Sequence, residues 1–357
     1  MKASPTSLLK ELLFLDQIVP RKTSLPVLGM VCFDLNGMSA TDLEVCITIK
    51  KEHDIHALVD ISTLIRVIRS VKYLDECSLE MNNGNLRITA GPMTFNIPTE
   101  DAMEFPKMYH GSMDHWKPFA KQIDSDVIYN CLDFAGNDEL RPIMSGVNIG
   151  EYIAATDAHR LVRKDNTSRL EYVNSTSITV PRGAAKLFKK KSLINIDITP
   201  DGYMAKTEFP GWVSVSWRNI DGRYVNYNAV IPVWSGIEEE ATAVSFNTKD
   251  LERMVKASLS TSNKVTYQVR FDIGPDGRTE ISSSDPDFSN SFRGSIPASF
   301  VSEKHMRRPI GIGFNAKFLL GILRHIDDTT TKVFMSEPNK AVMINEEYLI
   351  MPVMLNN

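Results

Sequence analysis

Several groups of residues in this sequence are of types that could do chemistry. His53-Asp54-Ile55-His56 offers two imidazoles, but in an extended segment positions three apart face opposite ways, so the pair does not share a metal ion. Asp285 and Asp287 would point to one face of a strand, yet Pro286 and the serines before it read more simply as a turn. Ser145, in Met144-Ser145-Gly146, lacks the flanking pattern of a nucleophile elbow. Gly311-Ile312-Gly313 continues into Phe314 and Asn315, so no GxGxxG forms, and no GxxxxGK[ST], HExxH or HxE with PCxxC occurs. The four cysteines, at 32, 46, 77 and 131, make no CxxC and read as small core residues in a reducing compartment. No catalytic residue, metal ligand or cofactor is expected.

The elements carrying these residues fall into a repeat. A chain of 357 residues exceeds a single core of roughly 250 to 300 residues, and a period near 119 (357/3) is that of a whole domain. Ser39-Ala40-Thr41-Asp42-Leu43-Glu44, Ala154-Ala155-Thr156-Asp157-Ala158-His159 and Ser282-Ser283-Ser284-Asp285-Pro286-Asp287 mark it. Three further landmarks are apolar runs entering helices of about three turns: Asp60 to Arg69, Gly183 to Lys190, and Asn315 to His325. Asp60 and Asn315 can cap free helix N–H groups, and Pro181 suits a helix start. A helix nearer each unit's beginning is expected over 7–18, 122–135 and 247–259. The remainder alternates apolar and polar residues as antiparallel strands do, for example Val265, Tyr267, Val269 and Phe271, or Val333 and Met335. The fold class is therefore α+β, with domains 1–115, 116–236 and 237–357 divided at the turn-forming stretches Gly111 to Asp114 and Ser235 to Glu240.

A formal charge of -4 argues against a protein coated in basic groups, but the placement of charge matters more than its sum. Arg66 with Arg69, Lys186 with Lys189 or Lys190, and Arg253 with Lys256 each share a helix face, and Arg324 ends another helix. Repetition across units suggests a sequence-blind track for phosphates. The segment 122–135 is the exception, with Asp124, Asp126 and Asp133 as its only charges. The N-terminus has Lys10, Glu11 and Asp16 within its apolar run and reads as an amphipathic helix, not a signal peptide; with no stretch of about 18 uncharged residues, a cytoplasmic protein is expected.

Asp138 to Val147 (DELRPIMSGV), followed by Ala155-Thr156-Asp157-Ala158-His159-Arg160-Leu161, resembles the signature of the bacterial DNA polymerase III beta subunits, the sliding clamps. Lys22 to Leu28, Ala40 to Glu44, Ile220 to Pro232, Gly313 to Leu320 and Leu349 to Leu355 extend the resemblance, in order, along essentially the entire chain. It implies a non-enzymatic head-to-tail homodimer whose six domains close into a ring on duplex DNA, tethering the replicative polymerase. The DNA contacts it implies are Lys22 and, by helical placement, Arg66, Arg69, Lys186, Lys189, Arg253, Lys256, Lys317 and Arg324. A cleft for short linear motifs from polymerase, clamp loader and repair proteins is implied at Met144, Thr156, His159, Arg160, Leu161, Pro232, Leu349, Ile350, Met351, Pro352 and Val353. There the apolar side chains form an adaptable floor, and His159 or Arg160 orients a polar peptide end.

Three departures stand out. Ala158 occupies a place where many relatives have Gly, so the turn there is not expected to need a Gly-only dihedral. Val353 replaces a frequent Met, and Asn356-Asn357 extend the end, so an altered peptide preference is expected. Two other readings compete: a clamp-like scaffold that binds proteins without encircling DNA, and a nucleic-acid enzyme working through Asp285 and Asp287.

Overall fold

The structure is a computed structural model that describes residues 1–106, 108, 116–165, 177–189, 192–232, 242–301 and 309–355. The stretches Gly111 to Asp114 and Ser235 to Glu240, together with Lys190, Asn356 and Asn357, lie outside the described residues. One order of elements occurs three times along the chain. The first run is β1 (Lys2–Ala3), α1 (Pro5–Leu15), β2 (Met30–Asp34), β3 (Gly37–Thr41), β4 (Val45–Ile49), β5 (Ala57–Asp60), α2 (Ile61–Ser70), β6 (Cys77–Asn82), β7 (Asn85–Ala90) and β8 (Met93–Glu100). The second is β9 (Lys117–Asp124), α3 (Ser125–Cys131), β10 (Val147–Ile149), β11 (Tyr152–Thr156), β12 (Arg160–Asp165), β13 (Ile178–Val180), α4 (Arg182–Ala185), β14 (Leu193–Ile198), β15 (Met204–Phe209) and β16 (Val213–Arg218). The third is β17 (Thr242–Asn247), α5 (Thr248–Leu259), β18 (Gln268–Ile273), β19 (Arg278–Asp285), β20 (Asn290–Pro297), β21 (Ser299–Phe300), β22 (Ile310–Asn315), α6 (Ala316–Leu323), β23 (Thr330–Met335), β24 (Val342–Ile344) and β25 (Tyr348–Ile350), in which β21 is additional. The fold is α+β with antiparallel sheets.

The chain forms two compact units, Met1–Tyr129 with Asn166–Asp221 and Asn130–Asp165 with Gly222–Asn357. The middle run is shared between them because its strands pair with both neighbours. In the first unit β16 pairs with β4, giving a twelve-stranded sheet β1-β6-β7-β8-β5-β2-β3-β4-β16-β15-β14-β9. There α1 packs on α2, burying Leu8, Leu12 and Leu15 with Ile61, Leu64 and Ile68. In the second unit β12 pairs with β25, so that β10-β11-β12-β25-β24-β23-β17-β21 run side by side, and β20-β19-β18-β22 form a separate sheet. There α5 packs on α6.

Helix starts follow the capping chemistry. The carboxylate of Asp60 accepts from Thr63 N at 2.7 Å, Asn247 Oδ1 from Asp250 N at 3.1 Å, and Asn315 Oδ1 from Lys317 N at 3.0 Å. Pro181 brings no capping side chain and Gly183 is a poor helix former, so the expected three-turn middle helix is one α turn continued as a 3-10 turn over Lys186–Lys189. The helix expected over 122–135 is likewise cut short. β9 runs to Asp124, paired with β14, and only Ser125–Cys131 is α-helical before a 3-10 turn at Leu132–Phe134.

Two expected strands are also corrected. His53-Asp54-Ile55-His56 lies outside any strand, just before β5, and the His53 ring Nε2 lies 3.1 Å from Gly37 O. Val265 precedes β18, in a turn where Asn263 Oδ1 accepts from Val265 N at 2.9 Å and Thr266 N at 3.3 Å. Local side-chain hydrogen bonding of this kind overrides apolar alternation. Asp285 and Asp287 both accept from Asn263 Nδ2, at 3.2 Å each.

The Thr-Asp landmark is one turn built twice. Thr41 Oγ1 donates to Val45 O at 2.8 Å and accepts from Leu43 N at 3.0 Å; Thr156 Oγ1 donates to Arg160 O at 2.8 Å and accepts from Ala158 N at 3.1 Å. Asp42 Oδ1 accepts from Glu44 N and Val45 N at 2.9 and 2.7 Å, and Asp157 Oδ1 from His159 N and Arg160 N at 3.0 and 2.9 Å. The third copy differs. There the ladder runs one pair beyond Ser284 and Ser291, to Asp285 opposite Asn290, whereas it ends at Thr41 opposite Cys46 and at Thr156 opposite Leu161, so the residue matching Asp42 and Asp157 is a strand residue and not part of the turn. In both matching turns the third residue is left-handed: Leu43 at φ 76° and Ala158 at φ 72°. The dihedral at 158 is therefore one that favours Gly, contrary to expectation, and the Thr156 and Asp157 hydrogen bonds hold Ala158 there. Ala158→Gly is predicted to raise stability by up to about 1 kcal/mol, read as a higher denaturant midpoint at unchanged slope; a lower midpoint contradicts the strain.

Candidate functional site

The residues matched to a peptide cleft all lie in the second unit, where the pairing of β12 with β25 brings them together. Arg160 stands opposite Ile350 and Leu161 opposite Leu349. Below them Ala154, Leu161, Ala243, Phe334, Met343 and Leu349 form a buried apolar cluster, with Tyr227 and Ile231 packed against it. The chain leaving β25 follows the same turn. Met351 N donates to His159 O at 2.8 Å, and Val353 N to Gly313 O at 2.8 Å, tying the last residues to β22. Met144 and Thr156 are buried, Pro232, Pro352 and Val353 half-buried, and His159 and Met351 exposed. The result is a dry base with an accessible apolar rim, a surface suited to an apolar peptide side chain.

Charged groups at this joint are mostly committed to one another. Arg160 Nε donates to Asp157 Oδ2 at 3.0 Å and Nη2 to Asp133 O at 2.6 Å, with its guanidinium 5.0 Å from the Phe134 ring centre and 5.3 Å from that of Phe318. Its side chain is only 15% exposed. His159, in contrast, stacks on Phe318 at 5.4 Å with its ring open to solvent. His325 Nε2 lies 3.0 Å from Asp133 Oδ2. Lys164 is ion-paired with Glu347 and lies 4.8 Å from the Tyr348 ring centre; burial alone would lower its pKa, but hydrogen bonds to Glu347 and Tyr348 raise it. Burial pushes the Cys131 thiol up to about 12 and raises the Tyr224 phenol. Both groups are thus neutral at physiological pH. Among the described residues no cluster of three or more His, Cys, Asp or Glu could hold a metal ion.

The nine cations matched to DNA contacts are all exposed. Lys22, Arg66, Arg69, Lys186 and Lys189 belong to the first unit, and Arg253, Lys256, Lys317 and Arg324 to the second. On α2, Arg66 lies on the side away from Ile61, Leu64, Ile65 and Ile68, and Arg69 on the flank of that apolar face. Lys189 Nζ is 5.9 Å from the Tyr129 ring centre and Lys317 Nζ 3.5 Å from that of Tyr267, which holds each ammonium at the surface. Arg253 shares its charge with Asp250 at 3.2 Å.

Phe134, Phe318, Gly321 and the Asp133–His325 pair are site residues that reading the sequence did not find. They come from segments separated by nearly 200 positions, and no spacing in the chain relates them. Phe318 is partly foreshadowed, as it lies within the Gly313 to Leu320 block.

No family model matches the chain. It is 26% identical to the beta sliding clamp of Bacillus subtilis (strain 168) over 94% of both chains, and 22% identical to that of Caulobacter vibrioides over 97% of both. The DNA polymerase sliding clamp of Pseudomonas aeruginosa superposes with a TM-score of 0.84 at 19% identity, and that of Bacillus subtilis with 0.83 at 21%, each covering 99% of both chains. A clamp from Bartonella birtlesii solved bound to griselimycin superposes with 0.83 at 20% identity and the same coverage. Along nearly its whole length the chain thus resembles the beta sliding clamps, the DNA polymerase III beta subunits, in sequence, and it has their fold.

Proposed function

We propose that this protein is a DNA sliding clamp. Two copies join head to tail around duplex DNA, and each carries a cleft for short linear motifs of the replicative polymerase, clamp loader and repair proteins. It performs no covalent chemistry and needs no cofactor, and it acts in the cytoplasm at the nucleoid. Its three domains are 1–115, 116–236 and 237–357.

The observation that carries this reading is the repeated joint. β16 on β4 and β25 on β12 are the same connection, and in both the following residues return to the turn: Arg218 N donates to Glu44 O at 2.8 Å, as Met351 N does to His159 O. By position in the runs, β8 corresponds to β16 and β25, and β20 to β4 and β12. Among the described residues Met93–Ile97 pair on one side only, with β7, and β20 pairs only with β19. The third joint is then made between copies. Carrying over the register that sets Ile47 opposite Val215, and keeping the core-facing alternation of both strands, brings Phe95 opposite Phe292, both half-buried.

A closed ring holds DNA by topology, so the exposed cations need only weak, sequence-blind phosphate contacts that allow sliding. Tethering raises the local concentration of a bound polymerase on its template. The test is retention on a nicked circular plasmid in gel filtration, with release when one restriction cut makes it linear. Equal retention on both forms would mean ordinary binding without encirclement. For the cleft, griselimycin, bound by the Bartonella clamp, serves as probe. Saturable binding at one per chain is predicted, weakened at least about tenfold by Met351→Glu at a position 38% exposed. Unchanged affinity in that variant would place the ligand elsewhere.

A further inference from the structure

We infer that Arg160 is a positioning residue: it bolts α6 to the β11–β12 turn and thereby sets the width of the cleft, without itself contacting the peptide. The inference rests on the cleft reading above and deepens it. Its attachments reach three segments: its own turn, the 3-10 turn Leu132–Phe134 and α6. Nε holds Asp157 of its own turn, Nη2 holds the carbonyl of Asp133, and the guanidinium plane lies between the rings of Phe134 and Phe318. With its fork engaged this way, little of the side chain is left for a ligand.

The other joint shows what this position is for. Val45, which corresponds to Arg160 in the matching turn, packs on Gly183: a β-carbon there would lie 3.2 Å from Val45 Cγ2. Arg160 packs on Gly321, where a β-carbon would overlap Nη1. Gly183 is the second residue of α4 and Gly321 the sixth of α6, four residues or about 6 Å further along the helix. The longer side chain reaches its glycine one turn later. Both joints therefore set the last residue of the turn against a gap in the helix that follows. In the second joint the same contact keeps Phe318 stacked under His159, so that the two rings at the open rim move as one.

The experiment is a double-mutant cycle of Gly321→Ala and Arg160→Ala in the full chain, read by thermal unfolding without ligand and by griselimycin titration. Alanine is the better helix former, so on propensity alone Gly321→Ala raises Tm in any background. The bolt predicts a lowered Tm and at least about fivefold weaker griselimycin binding in the wild-type background, but a raised Tm and no further loss of affinity once Arg160 is Ala. Arg160→Lys, which keeps the charge but not the fork, should behave as Arg160→Ala. Equal effects of Gly321→Ala on Tm in both backgrounds, or Arg160→Ala binding griselimycin within twofold of wild type, would overturn the inference. A direct contact between Arg160 and ligand would couple the two positions in affinity but not in ligand-free Tm. If the wild type binds no griselimycin the cleft reading fails, and the Tm arm still decides whether the bolt exists.

Discussion

A β-strand with one side unpaired exposes a row of N–H and C=O groups that water satisfies but any other strand can also claim. This chain contains that situation three times over, once in each run of elements, and the structure resolves it twice. β4 receives β16, and β12 receives β25, through the same register logic and the same return hydrogen bond to the preceding turn. The Thr-Asp turn is what makes the joint reproducible. Its side chains satisfy four backbone groups locally, freeing the carbonyl of Glu44 or His159 to accept from the incoming strand. The cost is a left-handed residue in each, Leu43 or Ala158.

From that single connection the candidate site follows. Pairing β12 with β25 sets Leu161 beside Leu349 over a common apolar cluster, and it directs Met351 to Val353 along the turn instead of into solvent. The charged groups at the same place, Arg160, Asp157 and Lys164, are occupied in holding elements together. The surface left for a ligand is therefore chiefly apolar, with His159 the polar group at its rim. The cations assigned to DNA behave differently. They stand on exposed faces with few firm partners, as a loose electrostatic contact requires and a structural ion pair does not.

Much of this was legible in the residues. Asp60 and Asn315 announce helix starts because a side-chain oxygen at that place has an unpaired N–H to accept from. The apolar spacing of Ile61, Leu64, Ile65 and Ile68 gives the buried face of α2, and with it the outward side that carries Arg66 and the flank that carries Arg69. What failed did so where local hydrogen bonding outweighed pattern. Asn263 turns Val265 out of the strand its alternation suggested, and Pro181 with Gly183 leaves α4 too weak to run three turns. Ala158 misled for another reason: residue type reports what a backbone prefers, and this backbone is held against its preference. Arg160 was found as a residue of the cleft, but its role was not, since Phe134, Phe318 and Gly321 meet it only through the fold.

The proposed ring stands or falls with a third joint, made between copies. In the register that places Phe95 opposite Phe292, Asn96 and Ser291 are exposed neighbours across it, within the range a disulfide spans. The four native thiols stay protonated and compete little: burial raises Cys32 and Cys131 to about 12 and Cys46 to about 11, and it also raises Cys77. The measurement is non-reducing mass analysis of the Asn96→Cys, Ser291→Cys chain after mild oxidation. A covalent dimer of twice 40.1 kDa, joined by two bonds, is predicted, with the chains carrying only Asn96→Cys or only Ser291→Cys remaining uncrosslinked. A double variant that stays at 40.1 kDa at concentrations where the protein sediments as a dimer would contradict it.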